Sequence, residues 1–220
     1  AASTVIQNEA ALGRITTNSL GYSYEYDSRV TGLNPNAGFV LRFGQEFGVG
    51  DADFISTTAL AAAETKVWNE DVTLRATIEG GVLNYDGTDS RVTDRFFLGA
   101  RKLRGFEPGG IGPREVSGAT NDALGGNMFV VARFEAEFPL GLPEEYGIKG
   151  GVFYDVGSLW SLDQTNANVI NEKFKARQVV GASIFWKTPV GPLRFNFTRA
   201  LSKETGDREQ TFDLSISTDF

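Results

Sequence analysis

Carboxylates and arginines are the residues in this chain best equipped to do chemistry. Its 220 residues include 28 Asp and Glu and 21 Lys and Arg, with no His and no Cys. Without thiols or imidazoles the usual zinc and soft-metal sites are excluded, as are Ser-His-Asp and Cys-His nucleophilic relays. The net charge of −7 argues against nucleic acid as the main partner, since a phosphate-binding surface needs clustered Lys and Arg. Glu135 and Glu137 could form a glycosidase-type acid pair, but no recognisable cleft faces them. Asp51, Asp53, Asp86 and Asp89 lie near turns without EF-hand or nonapeptide spacing, and read as solvated loop charge rather than calcium ligands. Gly109, Gly110 and Gly112 lack the strand and helix that flank a phosphate loop. No catalytic residue, metal or cofactor is expected, and the chain reads as a non-enzyme.

The elements that position these charges follow a period of two. Phe212, Leu214, Ile216 and Phe220 alternate with Asp213, Ser215, Ser217 and Asp219. Leu193, Phe195 and Phe197 alternate with Arg194, Asn196 and Thr198, and Val180, Ala182, Ile184 and Trp186 with Gly181, Ser183 and Lys187. The same pattern runs through 147–160 and 127–138, where it sets Asp155, Arg133, Glu135 and Glu137 on polar faces. It recurs at 72–82, 39–47 and 20–27, and more weakly at 54–68, where small residues occupy both faces. Alternation of this kind marks half-buried strands. The spacing predicts an antiparallel meander of about nine strands with turns between them, and the seven prolines fall at strand ends or in loops.

Two solvents could produce that alternation. A soluble sandwich buries the apolar face against a second sheet and wets the polar one. A membrane barrel turns the apolar face to lipid and the polar face to a wet lumen. Strands of about 10–13 residues, well above the usual 5–6, favour the barrel. So do a polar face of Gly, Ser, Thr and charges and aromatics at segment ends, such as Trp68, Tyr85, Trp160 and Trp186. The expected class is an all-β antiparallel transmembrane β-barrel. Bacterial barrels have even strand counts, so about nine strands point to the C-terminal part of a larger barrel. The first residues have no Met, basic n-region or apolar h-region, which fits a mature or internal start.

One segment departs from the pattern. Roughly 40 residues, at about 86–125, show little strand alternation, and an insert that long is usually functional or disordered. It contains Leu103-Arg104-Gly105-Phe106 followed by Ile111-Gly112-Pro113. Here the sequence resembles the BamA family of outer-membrane assembly factors, related to TamA and the two-partner secretion transporters. That family carries a Val/Leu-Arg-Gly-Phe/Tyr motif on a long loop folded back into the lumen. The likeness continues in order through FEPGGIGPRE, GGNMFVVARFEAEFPL, GVFYDVGSLW, FWKTPVGPLRFNFTRAL and the closing DREQTFDLSISTDF.

The resemblance implies a barrel of about 16 strands, with the 86–125 loop inserted in its lumen and periplasmic domains preceding it. It implies that Arg104 reaches two lumen acids on the next two strands, which match Glu135 and Asp155. One guanidinium can bridge acids on neighbouring strands. Each pair would gain on the order of 4 kcal/mol before desolvation. The implied function is folding and inserting other barrel proteins through a lateral seam. The last strand, Arg208 to Phe220, would form one side of that seam, and substrate strands would pair with its edge. The implied partners are the lipid bilayer with lipopolysaccharide, nascent outer-membrane proteins and accessory assembly lipoproteins. Ser217 stands where the family often has a glycine that kinks this strand. A TamA-like or two-partner secretion pore would share the loop motif. A soluble β-sandwich binding module is the more distant alternative.

Overall fold

Period-two sequences become long strands because each apolar side chain on one face needs a common environment, and a one-residue slip would invert both faces. The computed structural model describes residues 3–29, 37–189 and 191–216. In chain order these form α1 (Thr4–Ala11), β1 (Thr17–Asp27), β2 (Ala37–Gly50), β3 (Asp53–Val67) and β4 (Val72–Asp86). Next come the short β5 (Arg114–Ser117) and β6 (Thr120–Ala123), then β7 (Met128–Pro139) and β8 (Ile148–Trp160). The two-residue β9 (Val169–Ile170), β10 (Arg177–Thr188), β11 (Gly191–Ser202) and β12 (Phe212–Ile216) complete the chain. Nine strands make one antiparallel sheet in the order β1-β2-β3-β4-β7-β8-β10-β11-β12. This is the meander that the alternation predicts. The sheet is open: among the described residues β1 and β12 each pair on one side only.

The two faces differ as lipid and lumen differ. Leu20, Phe43, Ile78, Phe134, Val152, Ile184 and Phe197 stay exposed on the outer face, and Leu20 is 80% exposed. A sandwich would have covered that face with a second sheet. On β12, Phe212, Leu214 and Ile216 point outward while Asp213 and Ser215 are half-buried. Phe220 and Ser217, expected in this strand, lie outside the described residues.

The buried core sits inside the curve of the sheet. Leu98, Leu103, Phe106 and Ile111 from the long loop pack on Phe129, Val131, Phe153, Leu159 and Val179 from the inward faces of β7, β8 and β10. Each such side chain, fully buried, stabilises by about 1.5–3 kcal/mol against exposure. That burial offsets the entropy of ordering the long connection.

The loop is more structured than its sequence suggests. β5 and β6 form a hairpin within it, and β9, from the 161–176 connection, pairs with β5. α1 was not legible either. Eight residues are too few for a helix to be stable alone, so docking must hold it. Ser3 caps it by accepting from the Ile6 amide at 3.2 Å. The Val5 amide donates to Glu115 at 2.9 Å, and buried Glu9 pairs with Arg95 at 2.5 Å.

The seam strand also needs correction. Arg208 to Gln210, expected to open it, pair instead with the loop. Glu107 N donates to Arg208 O at 3.0 Å, Arg208 N to Gly110 O at 2.8 Å and Gln210 N to Gly105 O at 3.0 Å. Among the described residues the ladder between β11 and β12 covers Leu193–Phe197 against Phe212–Ile216, and the Thr198 amide extends it by donating to Thr211 O at 2.9 Å.

Candidate functional site in the lumen

The loop tip can turn back because of Gly105. Its φ is +88°, a left-handed value, and a Cβ there would come within 2.8 Å of Val179 Cγ1. Only glycine meets both demands. On either side of it, Leu103 and Phe106 are fully buried and drive the tip into the core. Ile111 forms an isolated bridge with Leu98. Gly112 lies against Leu159, and Pro113 accepts a hydrogen bond from the Leu124 amide at 2.9 Å. All seven residues of the loop motif therefore lie in the packed, inward part of the loop.

Arg104 projects from this tip onto the wall. Its Nε donates to Asp155 Oδ2 at 2.7 Å and its Nη2 to Asp155 Oδ1 at 2.5 Å. Its Nη1 donates to Glu135 Oε2 at 2.5 Å. Its backbone amide also reaches Asp155, at 3.2 Å. The guanidinium lies over the Phe153 ring, 3.6 Å from its centre. This is the side-on, bidentate geometry in which an arginine binds a carboxylate best. Asp155 has no solvent exposure and Glu135 little, so the charges would be costly to leave unpaired.

The floor beneath the finger is shaped by a second glycine. Gly181 on β10 faces Phe153, and a Cβ there would lie 2.2 Å from the ring. The missing side chain lets Phe153 lie flat as a stacking surface for Arg104.

Several charged partners were not anticipated. Arg194 on β11 also donates to Glu135, and Arg75 on β4 reaches Glu135 at 3.4 Å, Glu137 at 2.8 Å and Glu64 at 2.6 Å. Lys149 binds Glu137 at 3.0 Å. Glu135 and Glu137 thus belong to an ionic network rather than an acid pair. Arg177 and Asp207, both without exposed side-chain area, pair through two contacts at 2.9 and 3.0 Å. Parity places Arg75 and Arg194 inward, but only the order and curvature of the strands show which acid each one meets. Asp51 and Asp53 serve the turns, accepting from the Thr16 and Gly50 amides at 2.7 and 3.0 Å.

An open antiparallel wall, apolar outside and ionic inside, with an arginine loop folded onto its inner face, defines a plugged outer-membrane type of β-barrel. The chain belongs to the Omp85 superfamily, whose domain matches residues 2–220. It is 33% identical to the outer membrane protein assembly factor BamA of Neorickettsia risticii (strain Illinois), across 96% of this chain and 28% of that protein. It is 27% identical to the Sorting assembly machinery 50 kDa subunit of Saccharomyces cerevisiae, across 86% of this chain and 40% of that protein. Its fold matches a crystal structure of BamA from Haemophilus ducreyi lacking POTRA domains 1–3. The TM-score is 0.73 at 20% identity, covering 90% of this chain and 41% of that one. The chain therefore spans well under half the length of these relatives.

Proposed function

We propose that this chain is the C-terminal barrel portion of an outer-membrane assembly factor that folds and inserts other β-barrel proteins. The observation that carries the reading is that β12, among the described residues, pairs with β11 alone, on the sheet whose inner face seats the Arg104 finger on Asp155 and Glu135. A strand paired on one side leaves the backbone donors and acceptors of its other edge to an incoming strand. β-Augmentation there would template a nascent barrel with main-chain hydrogen bonds, without covalent chemistry or a cofactor. The outer face of the sheet would contact lipid and lipopolysaccharide, and accessory lipoproteins would bind the periplasmic side. Membership in the superfamily and the names of the relatives support the outer membrane as its location.

The test is site-specific crosslinking in cells. Single cysteines at 212–216 of the full-length protein should crosslink to a nascent barrel protein, and cysteines on β8 should not, because β8 is paired on both sides. Equal crosslinking at both places would overturn the reading.

A further inference from the structure

The two acids under Arg104 are not equivalent. Asp155 gives both carboxylate oxygens to Arg104. Glu135 is shared, since its Oε2 accepts from Arg104 and from Arg194 at once. Two guanidiniums converging on one oxygen repel each other, so each weakens the other's hold.

Arg194 is held independently of the loop. It donates to Asn196 Oδ1 at 2.8 Å and Ser183 Oγ at 3.2 Å, and lies 4.8 Å from the centre of the Phe185 ring. All three supports belong to β10 and β11. If the finger withdraws, Arg194 remains where it is, and Glu135 keeps a full counter-charge. The usual cost of stripping a buried acid of its partner then falls on Asp155 alone.

We infer that Arg194 is a positioning residue that makes engagement of the Arg104 loop reversible, by standing ready as the alternative counter-ion of Glu135. It also links that exchange to the seam. Arg194 lies opposite Ser215 of β12, and its partner Asn196 donates to Asp213 of β12 at 3.4 Å. Glu135 and Arg194 sit on strands separated by two others, roughly 14 Å along the sheet, so their contact is a chord across the curved wall. A change in the sharing of Glu135 therefore reaches the strand that carries the seam as a change in the electrostatic load on Arg194 and Asn196, with Arg194 staying in place. This last step alone rests on the proposed assembly function.

A mere strut and a release residue predict opposite results. Leu103 is fully buried and the chain has no Cys, so Leu103→Cys reports withdrawal of the loop through its labelling by a charged maleimide. The measurement uses the full-length protein in phospholipid nanodiscs. Arg194→Gln should slow labelling at least about fivefold, the lower end of ordinary coupling between sites. Arg194→Lys should restore most of the rate, because it returns a cation to Glu135. In a Glu135→Gln background, Arg194→Gln should slow labelling far less, because only the direct repulsion between the two guanidiniums is then removed. Unchanged or faster labelling in Arg194→Gln overturns the inference, as does the same slowing without Glu135. Where the Gln variant loses the heat-modifiable mobility of a folded barrel, Arg194→Met is read by the same criteria. Insertion of a reporter barrel is scored separately, so failure of the assembly reading is distinguishable from failure of this one.

Discussion

Truncating Arg104 to Ala removes three side-chain hydrogen bonds to carboxylates and the stack on Phe153. The two acids then diverge. Glu135 retains Arg194, with Arg75 at 3.4 Å, and loses little. Asp155, with no exposed side-chain area, loses its ion-pair partner. Breaking a buried pair from one side costs about 3–5 kcal/mol. Water entering the lumen reduces this, so about 2–4 kcal/mol is the working figure for the engaged state of the loop. At 1.36 kcal/mol per decade, that shifts the engaged-to-withdrawn ratio by roughly 30- to 1,000-fold.

The readout is hydrogen exchange at the Ala100 amide, which donates to Phe106 O at 2.7 Å, and at the Gln210 amide, which donates to Gly105 O. Both should lose protection in Arg104→Ala while strand amides of β3 and β4 keep theirs. Asp155→Asn should resemble Arg104→Ala, and Glu135→Gln should be milder, because only Asp155 is bound bidentately. Arg104→Lys should recover a minority of the protection, as an ammonium cannot present a fork to both acids. Equal effects of Asp155→Asn and Glu135→Gln would refute the asymmetry. Wild-type protection in Arg104→Ala would show that burial of Leu103 and Phe106 alone holds the loop.

Gly110→Ala should open the contact between the loop and Arg208, because the new Cβ would lie 2.6 Å from Arg208 O and 2.7 Å from Glu107 O. Faster exchange of the Arg208 amide, with Asp155 still bound to Arg104, is the expected pattern. Arg177→Ala leaves Asp207 buried without its partner, a loss of about 3–5 kcal/mol, and should expose the 203–210 connection to protease. At Asp163, burial raises the carboxyl pKa, but hydrogen bonds from the Ser90 backbone amide at 2.8 Å and the Asn127 side-chain Nδ2 at 3.0 Å outweigh it and hold the group below its usual range. Its stabilisation is complete above the unfolded pKa of about 3.9 and is lost as pH falls through the lower folded value. The Ser90 amide should accordingly lose protection below about pH 4, and Asp163→Asn should abolish that dependence.

What the sequence made legible is what period two encodes. Glu135 and Asp155 could be placed inward because parity along a strand is local and survives any error in strand length. The sheet order followed because consecutive strands with short turns pair with each other. α1 was hidden because its hold on the fold is distant: the Val5 amide meets Glu115 and the Ser3 amide meets Asp122. Arg208 to Gln210 read as strand, and the segment does make backbone pairs. Its partner is a glycine-rich loop that no periodicity announces. Arg194 shows the same limit from the other side. Its inward direction was legible, but its meeting with Glu135 depends on sheet curvature across two intervening strands.

The lumen loop is held by two kinds of force with different reach. Leu103 and Phe106 contribute burial, which changes steeply with position because close packing tolerates little displacement. Arg104 contributes paired charge, which falls off gradually and can be exchanged between partners. A plug held by burial alone would be permanent, and one held by charge alone in a wet lumen would be weak. With Asp155 reserved for the finger and Glu135 shared with the wall, withdrawal costs one bidentate pair rather than the whole network. The backbone contact between Gly105–Gly110 and Arg208–Gln210 carries the same motion to the start of β12. Loop and edge strand therefore form one mechanical unit, and a force on β12 also acts on the residues that seat Arg104.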